Sequence, residues 1–302
     1  MKTGYILPGA ALWFLLLTWS CSNSTAVDES ASRRLVVQAY LFSGQPVGNI
    51  QLTTTFPLSS TDSIAPPVND AAVTLIKNEQ RYALTNTNES GFYHYPGTDL
   101  YVDPGDIFHL EVNYREAVIT ASTIVPAVPG NIHISDDLLL IQETVNPLPD
   151  IEMAWDIPGF GGDYFLVVIE NIDTNPRMLE GINHNPPLVT PRGIFIGASE
   201  AHLTLPFTSK GISRLPQVDD PDLFISYPTS AQTFSITPAE LTHSGKHLAR
   251  VFRINQEYAD LYISQQQNAH DLNETLSNVR NGLGIFTAFS SSDSLFFRVR
   301  QK

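Results

Sequence analysis

One cysteine, Cys21, occurs in 302 residues. A chain with a single thiol has no internal disulfide, so its fold rests on its own core. A cysteine nucleophile elsewhere and a thiolate metal site are excluded with it. Positive charge is also scarce, with 17 Lys and Arg against 31 Asp and Glu and a formal charge of −14. That balance argues against binding nucleic acid, or an anionic membrane surface, through a basic patch. Long apolar runs are few. The run Ala10 to Leu17 is shorter than the roughly 20 residues a transmembrane helix needs, and no later run approaches that length. Gly-x-Ser-x-Gly, His-Glu-x-x-His, a P-loop and a dinucleotide glycine pattern are all missing. No catalytic residue, cofactor site or metal site is therefore assigned, and the chain is expected not to be an enzyme.

Lys2, the apolar run and the small residue Ser20 have the order of a secretory signal. Cys21 follows where a signal peptidase would cut, and Ser22-Asn23-Ser24-Thr25 continue as a polar stretch. The arrangement resembles the lipobox of bacterial lipoproteins, with Thr18 where leucine is usual and bulky Trp19 beside it. The expectation is a signal peptide over 1–20, lipid on Cys21 and a polar tether over 21–32. An ordinary secreted protein with one free thiol is the alternative.

Only 16% of residues are charged, 21 are proline, and Thr, Ser and Asn are abundant. This is an all-β, extracytoplasmic composition, and the length suits two domains. Leu35 to Phe42 is apolar on both alternations and predicts a strand buried on both faces. Ile50 to Phe56, Ala71 to Leu75, Arg81 to Leu84, Gly91-Phe92-Tyr93, Phe108 to Tyr114 and 117–125 continue at strand period. Pro126 to Gly130 reads as a boundary. Beyond it Ile151, Met153 and Trp155 alternate with polar residues. Tyr164 to Ile169, Leu223 to Tyr227, Phe234 to Ile236, Leu248 to Ile254, Ile285 to Phe289 and Leu295 to Val299 read as strands. The serines of 290–294 read as a hairpin loop, and 171–221 as an elaborated loop. Tyr258, Leu261, Tyr262 and Gln265 predict one short helix over 256–269, capped by Asn255.

The text Pro67 to Leu75, a polar gap, then Ser90-Gly91-Phe92-Tyr93 resembles carboxypeptidase-regulatory-like and transthyretin-like sandwiches. Trp155, a Pro/Gly loop and the strand from Tyr164 resemble the start of a fibronectin type III domain, where the tryptophan fills the core. The expected architecture is two tandem β-sandwich domains, over 33–129 and 130–302. Asn278-Val279-Arg280-Asn281-Gly282-Leu283-Gly284-Ile285-Phe286 is the most specific segment. With the preceding order it resembles the Bacteroidota lipoproteins grouped as domain of unknown function DUF4249, over about residues 33–300. The resemblance implies a lipid-anchored outer-membrane protein with a TonB-dependent receptor as partner, and Asp28-Glu29 in the tether favour a surface-exposed over a periplasmic placement. It supplies no active-site residue. Gly282 and Gly284 are expected to permit a turn and close backbone approach.

Three function classes follow. The first is an accessory or ligand-binding partner of a TonB-dependent transporter. The second is an adhesin or glycan-binding module, in which Tyr93, Tyr95 and Tyr101 either form a sugar-stacking platform or pack the sheet. The third is a hydrolase whose site has no recognisable motif. Weak metal candidates are His243 with His247, Asp219, Asp220 and Asp222 around Pro221, and Asp99, Asp103 and Asp106. Each has a plain reading as a turn or a solvated acidic loop.

Overall fold

Alternating apolar residues become strands along most of the described residues. A computed structural model describes residues 33–56, 64–87, 90–142, 149–159, 164–182, 223–264 and 277–302. Cys21, the tether, Asp219, Asp220 and Asp222, and most of the expected loop 171–221 lie outside these. The described residues are all-β with one short α-helix, as expected, and positions 265–269 of the expected helix lie outside them.

The first seven strands are β1 (Leu35–Phe42), β2 (Asn49–Thr54), β3 (Ala72–Lys77), β4 (Gln80–Asn86), β5 (Phe92–His94), β6 (Ile107–Tyr114) and β7 (Ala117–Ile124). They pair in the order β1-β2-β5-β4-β3-β6-β7. Their inward residues, among them Val37, Ile50, Leu75, Phe108 and Leu110, form one core.

Then follow β8 (Gly130–Ile134), β9 (Leu138–Ile141), β10 (Ile151–Asp156), β11 (Tyr164–Asn171), β12 (Leu223–Ile225), β13 (Thr233–Ile236) and β14 (Gly245–Ile254). The helix α1 (Gln256–Ser264), β15 (Leu283–Ser291) and β16 (Leu295–Gln301) complete the chain. β13-β10-β8 make a small separate sheet. Its inner face, with Met153 and Trp155, packs on Phe165, Val167, Val251 and Phe297 to form another core. Trp155 is 2% exposed and 5.5 Å from the Phe165 ring, so it is the core anchor expected of it.

The chain boundary expected at 129/130 falls between β7 and β8. The ladder continues across it, because β15 lies parallel to β1 with Val37 opposite Gly284. Phe286 and Ala288 of β15 enter the core of the first seven strands. Ile285 and Phe289 face the other way, with Phe42, Phe252, Tyr258 and Leu261. This accounts for the two-sided apolar text of β1: it is a wall between two cores, one filled by Leu35, Val37, Ala39 and Leu41 and the other reached by Phe42 and Tyr40. Residues Arg34–Lys302 accordingly form one compact unit.

One local expectation is corrected. The serines of 290–294 are not a hairpin loop. β15 and β16 both run antiparallel to β14, Ser291 opposite Phe252 and Leu295 opposite Ala249. The chain is thus one long pass with a kink. The serines sustain it: Val251 N donates to Ser292 Oγ at 3.0 Å, Ser292 N donates to Val251 O at 2.9 Å, and Arg250 Nε donates to Ser294 Oγ at 2.8 Å. Hydroxyls stand in for the ladder partners the kink removes. Asn255 stands directly before α1, at the expected cap position, and its backbone oxygen accepts from Tyr258 N and Ala259 N. Its amide nitrogen donates to Thr123 Oγ1 at 3.0 Å and Ile124 O at 2.8 Å, which ties the helix start to β7.

Candidate functional site

The segment from Asn278 to Phe286 is the first place to look for chemistry, being the most specific in the sequence. The side chains of Asn278 and Asn281 are spent on backbone. Asn278 Nδ2 donates to Phe286 O at 2.7 Å and Phe286 N donates to Asn278 Oδ1 at 3.0 Å, so the amide acts as one more strand residue beside β15. Ser277 Oγ donates to Gly284 O, and Asn281 Nδ2 donates to Val118 O. Arg280 and Thr120 exchange both backbone bonds. The segment thereby covers the outer edge of β7, which would otherwise offer unpaired backbone groups. Gly284 has φ +102°, and a Cβ on it would lie 1.9 Å from Val37 O. The motif is a structural clasp, as the close-approach reading expected.

The second motif is also a clasp. Asn69 Oδ1 accepts from Gly91 N at 2.8 Å, and a Cβ on Gly91 would meet Leu52 O at 2.1 Å. Tyr93 is buried; its hydroxyl donates to Val68 O and accepts from Ala71 N, both at 3.0 Å. Tyr95 packs edge-on against Tyr82 and donates to Asp99 Oδ1. Only Tyr101, 66% exposed, remains open to solvent. The three tyrosines therefore do not form a stacking platform, because the first closes the sandwich and the second leans on its neighbour.

The acidic trio is engaged as well. Asp103 N donates to Asp106 Oδ2 at 2.7 Å, closing the Pro104-Gly105 turn. Lys77 pairs with Asp106 and Asp103, and Asp99 takes the Tyr95 hydroxyl. Among the described residues no group of three or more His, Cys, Asp or Glu is placed to hold a metal ion.

The two histidines part company at the turn between them. His243 makes an isolated bridge with Met178, while His247 is 2% exposed on β14. The His247 ring stacks on Phe297 at 5.2 Å, with Asn171 Nδ2 at 3.3 Å from Nε2 and Gly245 O at 3.2 Å from Nδ1. A proton on Nδ1 donating to that carbonyl leaves Nε2 to accept from Asn171. Burial pushes its pKa down to about 4. It is a neutral core histidine. Its proton is bound more readily by the unfolded chain, so the stability it confers is full above about pH 6.5 and is lost as pH falls toward 4. The loss is about 3 kcal/mol. Urea unfolding at pH 7 and pH 4.5 checks this, with His247→Gln expected to show a smaller acid loss than the parent. An equal loss in both would contradict it. The comparison must be with the variant because Glu257 acts oppositely. Burial raises its pKa against the hydrogen bond donated by Thr123 Oγ1 at 3.2 Å, so protonation relieves the cost of burying its carboxylate.

Glu257 and Asn255 were not distinguished in the sequence as a link between α1 and β7. The signal, a polar pair before a helix, looks like any cap. Nor did Lys246, Arg298 and Arg300 stand apart, since they belong to strands far apart in the chain.

A sequence profile described as "Domain of unknown function (DUF4249)" matches residues 23–294. No curated protein matches the chain. Among solved structures, a two fibronectin type-III domain segment from chicken tenascin is similar at 10% identity. The match covers 73% of this chain and 89% of that one, with a TM-score of 0.23. Domains A168-A170 from titin are similar at 10% identity over 89% of this chain and 66% of that one, with a TM-score of 0.21.

Proposed function

The chain belongs to the domain of unknown function DUF4249 family, and from that premise we propose that it is a non-enzymatic lipoprotein of the outer membrane. Lipid on Cys21 anchors it, its folded part faces outward, and it serves as accessory or ligand-binding partner of a TonB-dependent transporter. The observation that carries this reading is Cys21 itself: a lone cysteine after Ser20, behind a short apolar run and ahead of a polar stretch. Three acyl chains on one residue anchor stably where a single chain would not. Among the described residues no helix is long and apolar enough to cross a membrane, so none of them supplies a second, helical anchor. The described polar clusters are consumed in clasps and core contacts, which supports a binding role over a catalytic one.

Replacing Cys21 by Ala is expected to move the protein from the carbonate-washed membrane pellet into the soluble fraction. Retention of the variant in the pellet would refute the anchor. Capture of the tagged parent in mild detergent is expected to bring a large β-barrel with it. Repeated recovery of the lipoprotein alone would count against the transporter partnership.

A further inference from the structure

Cations are few in this chain, yet the end of the long β15–β16 pass gathers them on one face. Along β16, Phe297 and Val299 enter the core, so Phe296, Arg298 and Arg300 point out and are exposed. Across the ladder Lys246 stands opposite Arg298 and Leu248 opposite Phe296. On the other side Leu138 stands opposite Arg298 and Leu140 opposite Arg300. Lys246 Nζ lies over the Phe296 ring at 4.5 Å. Among the described residues no carboxylate lies within ion-pair distance of Lys246, Arg298 or Arg300. Asp173 is within electrostatic reach of Arg298, but its oxygens accept from Asn175 N and Lys246 N.

Like charges directly opposite on a ladder destabilise it. Among the described residues no carboxylate is set against them to offset that cost. Arginine and an exposed aromatic such as Phe296 are also what a protein-binding face is enriched in. We propose that this strip is a docking face for a carboxylate-rich segment of a partner protein.

Carboxylate on a protein, rather than lipid phosphate, follows from the aromatic set among the cations: Phe296, 49% exposed, stands on the same outer face of β16 as Arg298 and Arg300, and arginine with an exposed aromatic is the make-up of a protein-binding surface.

The chain from Ser22 onward suits the test, because every described core lies within the compact unit from Arg34 to Lys302. A fluorescein-labelled glutamate decapeptide is the probe, with phosphatidylglycerol vesicles as the competing arm. The peptide is expected to bind, more weakly as salt rises. Arg298→Glu with Arg300→Glu is expected to weaken it by roughly tenfold or more, and Arg115→Glu with Arg280→Glu, an equal change of charge elsewhere, by less than about twofold. Arg298→Gln with Arg300→Gln gives a second variant without reversed charge, expected to lose binding to a lesser degree. The proposal is overturned if the peptide fails to bind, if both charge-reversed pairs lose equally, or if the vesicles bind and the peptide does not. No arm uses the lipid, so a failure here leaves the Cys21 result standing, and the reverse.

Discussion

Gly284→Ala is expected to cost about 4 kcal/mol or more, close to the whole stability of many folded domains. Two effects add. The residue sits at φ +102°, where a side chain is strained by about 1–3 kcal/mol. The new Cβ would also lie 1.9 Å from Val37 O, which real atoms cannot do, so β1 and β15 must move apart. Those two strands are the wall between two cores, and displacing them loosens both. Thermal or urea unfolding measures the loss. Gly282→Ala is the matched comparison. Its φ is not in the left-handed region, and its Cβ would meet side chains of Ile119 and Val279 at 3.0 and 3.1 Å and Leu35 O at 3.2 Å. That variant is expected to lose only about 1 kcal/mol. Similar losses at the two positions would mean that the close approach of β1 is not what Gly284 serves.

Trp155→Ala is expected to destabilise by about 3–5 kcal/mol through the cavity it leaves between the small sheet and β11. Trp155→Phe is expected to cost far less, within about 1.5 kcal/mol of the parent. The reason is specific to this site. Among the described residues Trp155 Nε1 is buried with no hydrogen-bond partner, so phenylalanine removes a penalty while it removes volume. Chemical unfolding of the two variants checks the pair. If Phe proves as damaging as Ala, the indole nitrogen has a partner and the account of this core is wrong.

Both residues were legible beforehand, because each announces itself through its own neighbours. Trp155 ends a strand of alternating burial, and Gly284 stands beside Gly282 at the start of another. The two-sided burial of β1 was likewise written in its composition. The serine segment misled because a polar run between two apolar runs looks the same whether the chain reverses or only kinks. What decides is whether the second run pairs with the first or with a third strand, and β14 lies dozens of residues earlier. β8 and β9 were not anticipated for the same reason. β9 is four residues long and finds its partner, β16, at the far end of the chain.

The polar candidates divide along this line. Tyr93 could be read as a platform or as packing until the sandwich closed over it and put its hydroxyl on Val68 and Ala71. His243 and His247 are near in sequence, but strand geometry sends His247 into the core.

The lone Cys21 behind a short apolar run, the all-β class and the alternation of each strand were set by the sequence alone, because each depends on residues adjacent in the chain. The parallel union of β1 with β15, the single pass through β16 and the meeting of Lys246 with Arg298 were decided only in the tertiary structure. Backbone hydrogen bonds are the same whatever the side chains, so local text says that a strand will form without saying beside which other strand it lies. Here those pairings, made across more than two hundred residues for β1 and fifty for Lys246, put two cores on one wall and Lys246, Arg298 and Arg300 on one face.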